Sequence, residues 1–307
     1  MLPRASHLAA PRRFALVAAA VIAGALALLL ISGAGGGADE RANAGILPPC
    51  LMEAPPDATA NSLNPSKPAP GKQRVIFVGN NWEGTADVIA TRGPKKFKTL
   101  ARINIVPDYE ERVAEICLDP VDLGYFLAIR ELVGEGNDQF VDDMYSTPDG
   151  RLLVVSRPSF RDVVAIRLTG ADAGELAWRF EMEGQRSDHM ALSPDGSQVA
   201  VSDSTANKVH LLNTQTGAKE GEFASGDSPH ENTYSADGSK IFHASIGLVY
   251  TPGDDPAFDT NTNKGERFFQ VVDAKTGEIL SRVDMGQKLE EAGYEDMSSA
   301  VRPMAIT

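Results

Sequence analysis

The chain has 307 residues, of which 42% are hydrophobic and 23% charged, a composition typical of globular proteins that excludes wholesale disorder. Its 42 acidic residues outnumber its 29 basic residues and give a net charge of −13. A body this acidic repels phosphate backbones, so nucleic acid is excluded as a partner.

An unbroken apolar run over residues 14–31 follows a basic segment at residues 1–13, which contains Arg4, Arg12 and Arg13 and no acid. Eighteen apolar residues are just long enough to span a bilayer as a helix. The positive-inside rule then leaves the N-terminus in the cytoplasm and exports the rest. Residues 14–32 are either a signal-anchor or a cleaved signal peptide. We favour the anchor, because the run is long for a signal peptide and the small-residue motif at 42–44 lies far beyond it.

Residues 33–73 form a linker rich in proline and glycine, with seven prolines after the run of glycines at 35–37. Such a stretch cannot bury a core and acts as a semi-rigid spacer. The predicted location is therefore the cell membrane, with a single span and an extracytoplasmic C-terminal domain, or a secreted form if the signal is cleaved.

From residue 74 to residue 307 the chain repeats itself. Four segments, 74–93, 151–170, 198–217 and 240–277, each contain two β-prone runs separated by a polar turn, which predicts a hairpin. A short strand ending in Asp-Gly precedes the later hairpins, and a further edge strand follows each one. The Asp-Gly turns lie 46 and 42 residues apart, which is the spacing of propeller blades. The sequence thus predicts an all-β propeller of four-stranded antiparallel blades.

The repeats also resemble a known family through residues 75–81 (VIFVGNN), 86–89 (ADVI), 193–196 (SPDG) and 213–217 (NTQTG). This pattern is similar to the YVTN-repeat, YncE-like bacterial β-propellers of the quinoprotein amine dehydrogenase-like group. The resemblance implies the fold over residues 70–307. It leaves the activity open, because such propellers include binding proteins, lactonases and dehydrogenases.

The first of two predicted insertions covers residues 106–140. Asp119 and Pro120 form a helix N-cap and first-turn pair, and Leu123, Phe126, Leu127 and Arg130 then share one face. This pattern predicts a short amphipathic helix that packs on the propeller.

The second insertion, residues 248–267, is predicted to be a polar surface loop. Asp259, Asn261 and Asn263 alternate as calcium ligands do, but the position of Gly265 and the lack of a closing glutamate depart from an EF-hand. A calcium loop is therefore only a weak alternative.

The chain contains two cysteines, Cys50 and Cys117, whose spacing fits no zinc or redox motif. In an oxidising compartment they could form a disulfide that pins the linker to the domain. Two free buried thiols are an equally acceptable interpretation.

The candidate ligand-binding site lies where the inner strands begin, at one mouth of the central channel. Alignment on the Asp-Gly turns places four pairs at equivalent positions, namely Asp142/Asp143, Asp188/His189, His230/Glu231 and Arg302/Pro303. Histidine with carboxylate can bind a metal or transfer a proton. The plainer interpretation is that strand starts are solvated and polar. His243, in the middle of a strand, is interpreted as structural.

No sequence motif of a hydrolase elbow, a metalloprotease or a Walker loop is present, and no cofactor is indicated. We therefore expect a membrane-tethered binding or scaffold module for a protein or small ligand. The alternative is a propeller enzyme, lactonase-like or quinoprotein dehydrogenase-like, in which His189, His230 and Glu231 act as acid, base or metal ligands and Arg302 holds an anionic group. An enzyme requires these side chains to converge within a few ångströms.

The sequence shows four blades and then residues 302–307, which align with residues 188–193. Because a propeller closes its ring to remove exposed edges, we expect these blades to belong to a longer reading frame with six or seven of them.

The arginines before the apolar run set the expected orientation of the chain in the membrane. A phosphatase that is active only after export, fused after residue 307, should be active in intact cells, because the arginines hold the N-terminus inside. A fusion after residue 13 should be inactive and serves as the control. An inactive C-terminal fusion made at normal levels would contradict the predicted topology.

Overall fold

The computed structural model describes residue 54, residues 74–248 and residues 265–294. Within these residues, fifteen strands form four antiparallel sheets, and three α-helices accompany them. Each sheet uses strands that are consecutive in the chain, so each is a simple meander.

The sheets are named blades 1 to 4 in chain order. Blade 1 contains β1 (Val75–Asn80), β2 (Thr85–Ala90) and β3 (Thr99–Asn104). Blade 2 contains β4 (Met144–Ser146), β5 (Leu152–Arg157), β6 (Asp162–Arg167) and β7 (Leu176–Glu181). Blade 3 contains β8 (Ser187–Leu192), β9 (Gln198–Asp203), β10 (Lys208–Asn213) and β11 (Lys219–Ala224). Blade 4 contains β12 (Pro229–Tyr234), β13 (Lys240–Ser245), β14 (Phe268–Asp273) and β15 (Ile279–Asp284).

This arrangement confirms the predicted propeller of four-stranded blades. Blades 2, 3 and 4 have four strands each, and blade 1 has three among the residues that the structure describes. All strand pairs are antiparallel, as the hairpin pattern predicts.

The hydrophobic core is divided among the interfaces between neighbouring blades. Alternate residues of one strand face opposite blades, since side chains alternate along a strand. In β5, Leu153 and Val155 pack toward blade 1, whereas Leu152 and Val154 pack toward blade 3. The two middle strands of blades 2 and 3 therefore bury apolar side chains on both faces.

The repeated Asp-Gly turns close the hairpin between the first and second strands of blades 2, 3 and 4. In blade 3, Asp195 accepts hydrogen bonds from the hydroxyl of Ser193 at 2.7 Å and the backbone N–H of Ser197 at 3.0 Å. Gly196 follows with φ +72°, a conformation that favours glycine. The same turn recurs at Asp149 and Asp237.

Two helices, α1 (Tyr109–Leu118) and α2 (Pro120–Ala128), lie between β3 and β4. The sequence predicts α2, whose N-cap Asp119 accepts from the backbone N–H groups of Val121 and Asp122 at 2.7 and 3.2 Å. Phe126 and Leu127 on its predicted inner face are buried, and Arg130 pairs with buried Asp138.

Helix α1 was not anticipated, although its spacing of Tyr109, Val113 and Ile116 has helical periodicity, and these side chains join the core. The sequence pattern of the last edge strand continues to residue 286, but the strand itself is shorter. It ends at Asp284, whose side chain caps a third helix, α3 (Met285–Glu291), by accepting from the backbone N–H of Gln287 at 3.0 Å.

We call the end of the propeller where β4, β8 and β12 begin the upper face. Because neighbouring strands are antiparallel, the second strand of each blade ends at this face and the third begins there. The outer strand also ends there, and the chain then enters the next blade. The α1–α2 insertion between β3 and β4 therefore leaves and re-enters the sheets at this face. The chain also leaves β13 and enters β14 at the upper face.

A buried ion network fastens α1 to blade 2. Arg157 has no exposed surface, and its guanidinium donates to both carboxylate oxygens of Asp162 at 2.8 and 2.7 Å. It also donates to Asp108, the N-cap of α1, at 2.5 and 2.9 Å. The guanidinium of Arg157 thus links Asp162 of blade 2 to Asp108 of the insertion.

We expect Arg157→Met to lower the free energy of unfolding by about 3 kcal/mol, because the buried Asp162 loses its closest cation and keeps only Arg112, whose Nε lies 3.4 Å away. Urea denaturation followed by circular dichroism measures the change. Arg151→Met is the matched control, since Arg151 is exposed and 3.9 Å from Asp149, and it should cost less than about 1 kcal/mol. Equal losses in the two variants would contradict this account.

Candidate functional site

The inner strands of blades 2, 3 and 4 each begin with a β-bulge, in which two residues face one residue of the partner strand. In blade 3, the register moves from Ser187↔Asp203 to Met190↔Val201, so Asp188 and His189 face Ser202 alone. A bulge bends a strand and re-aims its side chains. It therefore determines where Asp188 and His189 point.

The other two blades repeat this geometry at the predicted positions. In blade 2, Asp142 donates its backbone N–H to the carbonyl of Ser156 at 3.0 Å, and Ser156 donates its own to Asp143 at 3.1 Å. In blade 4, the register shifts around His230, between Pro229 and Glu231. The pairs aligned from sequence thus occupy the same backbone position in three consecutive blades.

Hydrogen bonds from two buried serines connect the bulges of blades 3 and 4 to the blade that precedes each of them. Ser156 of blade 2 donates its hydroxyl to the carbonyl of Asp188 at 3.0 Å, and Ser202 of blade 3 donates to the carbonyl of His230 at 2.8 Å. Asn232 in turn donates to Ser202 Oγ at 2.8 Å. These bonds fix the position of one blade's bulge relative to the next.

The bulges bring side chains from three blades together at the upper face. His189 Nδ1 lies 3.2 Å from Asp143 Oδ2 and 4.0 Å from Asp142 Oδ1, and His189 Nε2 lies 3.9 Å from Asp188 Oδ1. The rings of His189 and His230 have centroids 4.2 Å apart. We call this group the mouth cluster, with members Asp142, Asp143, Asp188, His189, His230 and Glu231.

Further hydrogen bonds hold the carboxylates of the cluster in place. Asp143 Oδ2 accepts from the backbone N–H of Met190 at 2.8 Å. Asp188 is 2% exposed, and its Oδ2 accepts from Ser204 Oγ at 2.5 Å and from Arg186 at 2.8 Å. Its Oδ1 accepts the backbone N–H of His189 at 3.0 Å. The carboxylates are therefore preorganised by the fold.

The crowding of acids around one imidazole changes the proton affinities. The hydrogen bond to Asp143, with the charges of Asp142 and Asp188, raises the pKa of His189 to about 9. Burial, followed by the charge of Asp188, raises the pKa of Asp142 to about 7. Burial also raises the pKa of Glu231. Burial opposes ionisation of Asp188 as well, but Arg186 and the histidines outweigh it and lower its pKa. At neutral pH the cluster thus holds a proton on His189.

Several predicted site residues lie outside the described residues, namely Arg302, Cys50, and Asp259, Asn261 and Asn263 of the calcium-loop candidate. Cys117 is disulfide-bonded, and its pairing with Cys50 stays a prediction. The apolar run at residues 14–31 is also outside the described part, in which no helix is both long and apolar enough to cross a membrane.

Sequence reasoning missed the residues that support the cluster, among them Ser156, Ser202, Arg186 and Ser204. A signal was available for Ser156 and Ser202, because each stands six residues after the glycine of its Asp-Gly turn. Arg186 and Ser204 stand at no repeated position, so only the folded geometry reveals their contact with Asp188.

The comparisons with known proteins do not assign this site. No family model matches the chain, and no curated protein matches it at a significant level. Among solved structures, the chain is similar to Kuenenia stuttgartiensis hydrazine synthase, with 18% sequence identity and a TM-score of 0.37. That match covers 47% of this chain and 36% of that chain. A likeness this weak carries no argument about function.

His243 lies directly behind the cluster and is structural, as its position suggested. It is fully buried, and its Nδ1 lies 3.1 Å from the carbonyl oxygen of Glu231 and 2.9 Å from Asn232 Oδ1, so Nδ1 carries the proton. Its Nε2 then accepts from Ser225 Oγ at 2.7 Å. Burial lowers the pKa of His243 to about 3.

We expect His243 to make the fold acid-sensitive. The unfolded chain binds a proton at this residue below about pH 6.5, whereas the folded chain does so only near pH 3, so stability falls as the pH drops through this window. The contribution approaches about 1.4 kcal/mol per pH unit. His243→Gln should flatten the slope of unfolding free energy between pH 6.5 and 4.5, and His7→Gln, outside the propeller, should leave it unchanged. Parallel slopes for His243→Gln and the unaltered chain would exclude His243 as the cause.

Proposed function

We propose that this chain is a membrane-tethered, extracytoplasmic, YncE-like β-propeller that binds a small cationic ligand at the mouth cluster. The observation that carries the proposal is the convergence of carboxylates and imidazoles from three blades, with Asp143 Oδ2 3.2 Å from His189 Nδ1. Solvation of strand starts alone does not require equivalent bulges and interblade hydrogen bonds to hold these groups together.

The charge of the mouth favours a cation. Four carboxylates, those of Asp142, Asp143, Asp188 and Glu231, outnumber the two cations described beside them, protonated His189 and Arg186, and the whole chain carries a net charge of −13. An acidic mouth raises the local concentration of cations and speeds their association. A cationic group would also relieve the repulsion among carboxylates that are held close together.

The mouth is open to solvent. The side chains of Asp142, Asp143 and His189 are 23, 29 and 31% exposed, so a ligand can reach them from the upper face. The α1–α2 insertion is joined to this face on the side of blade 2, which makes the rim of the mouth unequal. An unequal rim suits recognition of one ligand, whereas identical blades would present a repeated surface.

A second candidate is a propeller enzyme, and one observation favours it. A carboxylate that orients an imidazole, as Asp143 does for His189, is a common arrangement in acid–base catalysis, and the side chains do converge as an enzyme requires. Turnover of a lactone such as γ-butyrolactone, abolished by His189→Gln, would favour this function over simple binding.

Calorimetric titration of the full-length chain in detergent with spermidine, an organic polyamine, tests the binding function. We expect Asp143→Asn and Glu231→Gln each to weaken binding about tenfold, which corresponds to about 1.4 kcal/mol for one lost charge. Glu278→Gln makes the same chemical change at an exposed position on the opposite face and should have no effect.

If spermidine does not bind, or if it binds all three variants as tightly as the unaltered chain, the mouth cluster is not a site for organic cations.

A further inference from the structure

We propose that Asp188, His189 and His230 bind a divalent first-row transition metal ion, with Zn²⁺ as the probe. The proposal rests on the cation-binding function proposed above and specifies the cation. Each of the three residues offers one ligand atom, and these atoms lie within 4.8 Å of one another. In a tetrahedral zinc site the ligand atoms are roughly 3.3 Å apart, so small side-chain movements complete the site.

The orientation of His189 is that of a metal ligand. Its Nδ1 is engaged by Asp143 at 3.2 Å, and its Nε2 faces Asp188 Oδ1 at 3.9 Å. Metal-binding histidines usually donate the N–H of one ring nitrogen to a carboxylate, which leaves the other nitrogen free for the metal. Asp143 is itself held by the backbone N–H of Met190.

The carboxylate ligand is prepared in the same way. Asp188 Oδ2 is occupied by Ser204 and Arg186, so Oδ1 is the oxygen that faces the imidazole of His189. The bulges in blades 3 and 4 place His189 and His230 side by side, with ring centroids 4.2 Å apart. These contacts therefore position the carboxylate of Asp188 and the imidazole of His189, and the bulge in blade 4 places His230 beside them.

The donor set selects the class of metal. Ca²⁺ and Mg²⁺ prefer oxygen ligands, whereas two imidazoles with one carboxylate suit zinc and its first-row neighbours. Three protein ligands leave a fourth position for water or a further ligand. The partial exposure of His189 keeps that position accessible from the upper face.

A second group in the described part of the chain provides a contrast. Glu183, His210 and Glu222 also bring three ligand atoms within 4.8 Å. There Lys208 Nζ lies 2.7 Å from Glu183 and Lys219 Nζ lies 2.6 Å from Glu222, so ammonium groups already occupy the carboxylates. In the mouth cluster the corresponding cation, Arg186, contacts Oδ2 of Asp188 at 2.8 Å, and Oδ1 still faces the imidazole of His189.

The test uses the full-length chain in detergent, freed of metal with a chelator. We expect it to bind one Zn²⁺ per chain, and Co²⁺ in its place should give the visible absorption of a nitrogen-coordinated ion. His189→Ala and His230→Ala should weaken Zn²⁺ binding at least about 100-fold. Asp143→Asn, which changes a positioning residue only, should weaken it about 10- to 100-fold. Glu222→Gln should leave it unchanged.

The outcomes separate this inference from the proposed function. Spermidine binding without Zn²⁺ binding overturns the metal site alone, Zn²⁺ binding without spermidine binding overturns the binding of organic cations alone, and binding of neither overturns both. Zn²⁺ binding that survives both histidine variants also overturns the site. If circular dichroism shows that an alanine variant is unfolded, His189→Gln and His230→Gln replace it, and retained Zn²⁺ binding in these variants overturns the site equally.

Discussion

The β-bulge at the start of each inner strand is the constraint on which the site depends. A regular strand would send Asp188 and His189 to opposite faces of blade 3, because side chains alternate along a strand. The bulge places both opposite Ser202, and the preceding blade holds this geometry through the bond from Ser156 to the carbonyl of Asp188. The packing of neighbouring blades therefore also sets the geometry of the site.

The same upper face contains the most heavily buried charges of the described blades. Arg157 joins blade 2 to the N-cap of α1, and Asp188 is held by Arg186 and Ser204. Burying such groups costs free energy unless each has partners, and here the partners come from different elements. The insertion is thus fixed to the blade that supplies Asp142 and Asp143.

The sequence predicted the strands well because their signals are local and repeated. Asp195 and Gly196 specify their turn through contacts within a few residues, and two other blades repeat the same turn. Alignment on those turns also placed the three described residue pairs at equivalent strand starts, as the structure has them. Helix α1 was missed because it occurs once, and the contacts of Arg186 and Ser204 with Asp188 were missed because they depend on how two loops meet. The distances that distinguish a converged site from a solvated rim exist only in the folded chain.

The separation of the two histidines connects the fold to the proposed ligand. His189 and His230 belong to different blades, so blade packing sets their backbone positions, and their ring centroids lie 4.2 Å apart. In the metal site proposed above, each ring would contribute a nitrogen lone pair and Asp188 a negative charge that balances part of the charge of the ion. The bulges of blades 3 and 4 set the backbone positions of these three residues, so only side-chain movement is needed to complete the site.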